Sequence, residues 1–116
     1  MGFSFEGQFH SARNAMDTLH QVFELMMRRD ASFAERFAGL PRHGRSRRYL
    51  ARNPQELYPG RDDLVREHSV QLSGGWWAST NHGRATIGRI IEMACEVAGI
   101  RYGSDLVARL ERLRND

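Results

Sequence analysis

Two stretches carry residue types suited to gripping a phosphate and inspecting a base edge. The first is Gly44-Arg45-Ser46-Arg47-Arg48-Tyr49-Leu50-Ala51. A guanidinium presents a planar fork of donors that matches a phosphate bidentately. Arg45, Arg47 and Arg48, with the Ser46 hydroxyl, concentrate such donors in a short segment. The second stretch is Gly75-Trp76-Trp77-Ala78-Ser79-Thr80-Asn81-His82-Gly83-Arg84. An Asn side chain donates and accepts together, which suits an adenine edge. Ser79, Thr80 and His82 place further polar groups around Asn81, and Gly83 allows close backbone approach. Arg84 follows at the start of a helix, where free amides also favour an anion. Read without function, Asn81 to Gly83 is an ordinary strand-to-helix turn.

Catalytic chemistry finds less purchase. His10, His20, His43, His68 and His82 are scattered, and none sits in an HExxH or a Cys/His spacing. Asp62 and Asp63 stand beside Arg61 and read as a solvated turn. Thr80-Asn81-His82 contains the Asn-His pair of a metal-dependent nuclease, but no His-acid partner stands near it, and lysine is absent from the whole chain. Ser73 before Gly74-Gly75 is not a nucleophile elbow. The expectation is a protein that is not an enzyme and carries no cofactor or metal.

Composition bounds the remainder. The chain has 116 residues, 41% hydrophobic and 27% charged, the size and balance of one globular domain. No apolar run reaches the roughly 18 residues that span a bilayer. The first residues lack a basic and then apolar signal-peptide pattern, and the single Cys95 excludes an internal disulfide. The expected setting is intracellular, with no membrane partner. Net charge is +3, and all 17 basic residues are arginine. A GC-rich genome is the simpler account of that usage, ahead of phosphate binding. Distribution says more: between Arg42 and Arg61 lie six arginines and one acid, Glu56. Such a patch is the electrostatic footprint of a polyanion site.

The elements that must hold these residues follow from periodicity. Residues 1–10 form an aromatic arm or short strand. A helix starts at Ser11, with Ala12, Ala15, Met16, Leu19, Val22, Phe23, Met26 and Met27 recurring at helical steps. Asp30 caps a second helix that buries Ala31, Phe33, Ala34 and Phe37 and ends at Gly39. Residues 11–40 thus support a DNA-contact region over 44–84. There the arginine segment is an edge strand, with Arg45 and Arg47 on one face and Arg48 on the other. Asn53-Pro54 opens a short helical turn. A further turn around Leu64-Val65 leads to a strand through Leu72. Ser73-Gly74-Gly75 turns this strand into a hairpin with Trp76 to Thr80. Two helices close the domain over 85–116. One is capped by Thr86, carries Ile87, Ile90, Ile91, Ala94, Cys95 and Ala98, and stops at Gly99. The other is opened by Ser104-Asp105 and carries Leu106, Val107, Leu110 and Leu113. The expected class is α+β, mostly helical, with several helices supporting a small antiparallel sheet.

The two opening stretches resemble the C-terminal DNA-binding domain of SeqA, the negative modulator of replication initiation. Gly44 to Ala51 is similar to that family's Gly-Arg-Thr-Arg-x-Tyr-Phe-Ala segment. Trp77 through Asn81, His82, Gly83 and Arg84 is similar to its Tyr-Trp strand and Asn-Thr-Gly-Arg loop. The similarity runs from about Ala15 to Leu113, and the motifs come in the same order. It implies double-stranded DNA as the partner, bound at GATC sites whose adenine is methylated on one strand. It also implies a bacterial, nucleoid-associated setting. In the family the arginine segment holds backbone and the asparagine loop reads the hemimethylated A·T pair. By position, Arg45, Ser46 and Arg47 match the first motif, and Asn81, Gly83 and Arg84 the second. Here Ser79 stands where the family has a second asparagine, and the strand-to-loop spacing is a residue or two tighter. The family's N-terminal oligomerisation arm has no counterpart in these residues, so a homodimer would have to use another contact. The other reading of the patch is a regulatory protein-interaction domain meeting an acidic partner.

Overall fold

The computed structural model describes residues 1–40 and 48–111. Arg45, Ser46 and Arg47, the centre of the arginine segment, lie outside the described residues, as does Leu113. Helix α1, Ala15–Arg29, carries the apolar stripe read from the sequence: Leu19, Val22, Phe23 and Met26 are buried. It begins later than expected. Asn14, not Ser11, is the N-cap, and its Oδ1 accepts from the Asp17 amide at 2.8 Å. Ser11 instead closes a strand, because the arm over residues 1–10 is a hairpin of β1, Gly2–Phe5, and β2, Gln8–Ser11.

Helix α2, Phe33–Ala38, follows a turn that Asp30 fastens by accepting from the Ser32 amide and hydroxyl. Asp30 thus caps the turn, and Ser32 takes the N-cap position of the helix. The aromatic centre of the core comes from α1 and α2. Phe23 meets Phe37 edge-on with centroids 5.2 Å apart, and Phe33 sits 6.3 Å from Phe23. Such pairs add about 0.5–1.5 kcal/mol beyond area burial. Against them packs α4, Arg84–Ala98, through Ile87, Ile90, Ile91, Ala94 and Cys95, the face its periodicity specified. Gly99 ends α4 at φ 72°, a left-handed conformation that costs glycine little. The α4 N-cap is Gly83 rather than Thr86, whose hydroxyl accepts from Arg89 within the helix.

The expected final helix is a strand. β6, Leu106–Arg109, pairs antiparallel with β1, giving a sheet in the order β2-β1-β6. Leu106 is buried, Val107 and Arg109 are exposed and Ala108 lies between, an alternation of period two. The open edge of β1 decides the segment over its local helical spacing. Gly103 and an Asp105 carboxylate accepting from the Arg101 amide turn the chain into this strand.

A second sheet carries the region of interest. β3, Leu50–Ala51, and β4, Ser69–Gln71, flank β5, Trp77–Ser79, in the order β3-β5-β4. The hairpin of β4 and β5 was expected, and Ser73 to Gly75 turns it with Gly74 and Gly75 at positive φ, 71° and 79°. Trp76 and Ala78 enter the main core, while Trp77 packs on a satellite cluster of Ala51, Leu57 and Tyr58. The turn Pro54–Glu56, capped by Asn53 as expected, and helix α3, Asp62–Glu67, build that satellite. Asp62 and Asp63 are therefore in the first turn of a helix, where carboxylates suit the dipole. The class is α+β. The described residues form four α-helices and two small antiparallel sheets, where one sheet was expected.

Candidate nucleic-acid interface

The loop between β5 and α4 is fastened from beneath. β5 is the central strand, so Ser79 is held on both sides. Its amide donates to the Tyr49 carbonyl at 3.2 Å, and the Thr80 amide donates to the His68 carbonyl at 2.9 Å. The His82 amide then donates back to the Thr80 carbonyl at 3.2 Å, a three-residue turn with Asn81 at its apex. The Ser79 Oγ lies 2.7 Å from His82 Nε2. Asn81, Gly83 and Arg84 are exposed, whereas Thr80 and His82 are half-buried.

Tyr49 connects the two stretches that the sequence separates. It lies just before β3, where Leu50 is in register with Ala78. Its ring meets the His82 ring edge-on with centroids 5.2 Å apart. The arginine segment therefore leads into the sheet beside the Asn81 loop. Sequence reasoning quoted Tyr49 but assigned it no role. An aromatic residue amid arginines, two positions before an apolar strand pair, was the available signal.

Among the polar residues expected to touch DNA, Ser79 is 1% exposed and presents nothing to solvent. β5 alternation sends its side chain inward, so Ser79 shapes the loop rather than contacting a partner. Arg48 is half-buried, and its Nη2 donates to the Ala38 carbonyl at 2.9 Å, at the negative end of α2. Arg52, counted in the basic patch, lies over the Trp76 ring at 4.4 Å and pairs with Glu35 at 2.7 Å. Both line a cleft of about 400 Å³ shared with Glu35 and Glu56, so positive charge there is largely balanced. Arg84 points outward and meets Glu111 at 3.5 Å, with both side chains well exposed. Glu111 is a partner that sequence reasoning did not identify, because only the return of the chain through β6 brings it to the start of α4.

Helix α4 has no side-chain N-cap bond, so its first amides are not occupied by its own cap. Their dipole, the Arg84 charge and the exposed Asn81 apex all follow the end of β5, the central strand of the second sheet. Among the described residues no group of three His, Cys, Asp or Glu side chains is placed to hold a metal ion. Cys95 is buried, and burial pushes its thiol up to about 11, which leaves it protonated and unreactive at neutral pH. No helix of the described residues is long and apolar enough to cross a membrane. The chain matches no protein-family model and no curated protein.

Proposed function

We propose that this chain is a non-enzymatic module that binds double-stranded DNA and reads adenine methylation in a GATC-like site, in the manner of the SeqA family. The observation that carries the reading is the meeting of the two motifs at Tyr49 and His82. It brings Tyr49, which follows the arginine segment in the chain, to the fastened loop that carries the exposed Asn81 just before α4. The division of labour follows from chemistry. Arg84, the α4 amides and the arginine segment 45–47 engage phosphates, which position a protein without specifying sequence. Asn81 inspects the base edge, where a bidentate contact separates one base from another. Arg48 contributes through its hold on α2 and Ser79 through the loop. On this reading the protein is cytoplasmic and associated with the bacterial nucleoid.

The test is a mobility-shift series with unmethylated, hemimethylated and fully methylated duplexes at two salt concentrations. Tighter binding to one methylation state, weakening as salt rises, is the expected result. Absence of duplex binding at low salt defeats the reading and favours an acidic protein partner for the same arginines. Nicking of plasmid in Mg²⁺ or Mn²⁺ defeats the non-enzymatic assignment.

A further inference from the structure

We infer that Ser79 and His82 form a built-in lock that fixes the orientation of Asn81. This rests on the reading of Asn81 as the base-inspecting residue. A loop apex between a strand and a helix is ordinarily the most mobile part of such a connection. Here three bonds close around it. The turn bond from the His82 amide to the Thr80 carbonyl spans Asn81 at 3.2 Å. The Ser79 Oγ to His82 Nε2 bond at 2.7 Å closes a second, outer ring across the same residue. The Thr80 amide ties the loop base to the His68 carbonyl at 2.9 Å, and that carbonyl also accepts from the Tyr58 hydroxyl at 2.9 Å.

The partners are unequal, which gives the lock its direction. Ser79 is 1% exposed and belongs to the central strand, so it is the fixed post. His82 is half-buried, with the Tyr49 ring edge-on, so its imidazole swings neither into solvent nor into the core. With the ring held at Ser79 and Tyr49, the His82 backbone is held as well, and the main chain on both sides of the exposed Asn81 is fixed. Preorganisation of this kind raises selectivity, because no ordering cost falls on the correct partner at binding. Ser79 and His82 are therefore positioning residues for Asn81, acting from beneath the interface.

Three variants test this, in the free protein and with DNA. Ser79→Ala removes the post, and His82→Ala breaks the same bond from its solvent side, where the core is untouched. His82→Gln supplies an amide of similar reach toward Ser79. In the free protein, nitrogen-detected NMR of the imidazole and amide exchange at Asn81 and His82 are measured. Ser79→Ala is expected to shift the His82 Nε2 resonance and to speed exchange at these amides by about 2- to 10-fold, the worth of one net hydrogen bond. His82→Ala should speed exchange at Asn81 equally, and His82→Gln should restore it. With duplexes, both Ala variants should lose methylation preference by a similar factor while the salt dependence stays that of the wild type. Unchanged imidazole and exchange signals in Ser79→Ala overturn the lock, whatever the DNA result. A broken lock with intact methylation preference overturns the positioning role. Wild-type protein that binds no duplex removes the DNA reading and with it the positioning role, while the NMR arm still decides whether the lock exists.

Discussion

Arg84 offers the sharpest separation between phosphate contact and base reading. Its side chain is 60% exposed at the first residue of α4, and it pairs with Glu111, itself 81% exposed, at 3.5 Å. A pair so open to water is weak and screened. Arg84 is thus available to a phosphate in exchange for a partner it loses easily. Each neutralised phosphate contributes about 0.9 to the slope of log affinity against log salt. Over a fourfold rise, from about 50 to 200 mM, one contact changes affinity by about 3.5-fold. Arg84→Ala should therefore bind every duplex more weakly, with a deficit about 3.5-fold greater at the lower salt than at the higher. Glu111→Gln should act in the opposite sense, tightening binding about 1.5- to 5-fold by releasing Arg84 from a surface pair. Fluorescence anisotropy with labelled duplexes across a salt series measures both. A salt slope in Arg84→Ala equal to that of the wild type, on a folded variant, refutes the assignment of Arg84 to a phosphate.

Other consequences concern the scaffold. A Cβ on Gly2, at φ +146°, would lie 2.0 Å from the His10 carbonyl oxygen, so Gly2→Ala should destabilise the first sheet by about 1–3 kcal/mol or more, visible as a lower thermal midpoint. Leu57 is fully buried in the satellite beneath Trp77, and Leu57→Ala should cost about 2–5 kcal/mol in urea denaturation. His20 is held below the usual histidine value by burial, and among the described residues its Nε2 has no hydrogen-bond partner. The unfolded chain then binds a proton more readily than the folded one. Stability from neutral His20 is complete above the unfolded value near 6.5 and declines as pH falls through it toward the depressed folded value. His20→Asn should lose less stability than the wild type between neutral and mildly acidic pH, read from paired urea midpoints.

The helical part of the fold is legible in the sequence because it is local. The faces of α1 and α4 repeat every three or four residues, and Ile87, Ile90, Ile91, Ala94 and Cys95 are buried as that period requires. Asn53-Pro54 and Ser73-Gly74-Gly75 carry their own turn chemistry, so their positions are also readable. The segment Leu106–Arg109 was not readable. Ser104-Asp105 mimics a helix cap, and Leu106, Val107 and Leu110 fit a helical face. The strand exists because β1, about a hundred residues earlier, offers an edge. The same limit applies to charge. Arg48 and Arg52 read as free cations, yet their acceptors are the Ala38 carbonyl, Glu35 and the Trp76 face, all brought near by the tertiary fold. Ser79 reads as a polar loop residue, and only its place on a central strand turns it inward. Asn81, Gly83 and Arg84 were legible as an exposed loop because glycine and a helical period bracket them.

The most direct measurement compares wild type and Asn81→Ala on unmethylated, hemimethylated and fully methylated GATC duplexes, in competition at fixed salt. The wild type should prefer one methylation state by about 5- to 150-fold, the range one bidentate base contact gives. Asn81→Ala should bind all three duplexes alike while keeping the wild-type salt slope. A variant that retains the preference, or a wild type that binds no duplex at low salt, contradicts the assignment of Asn81 to base reading.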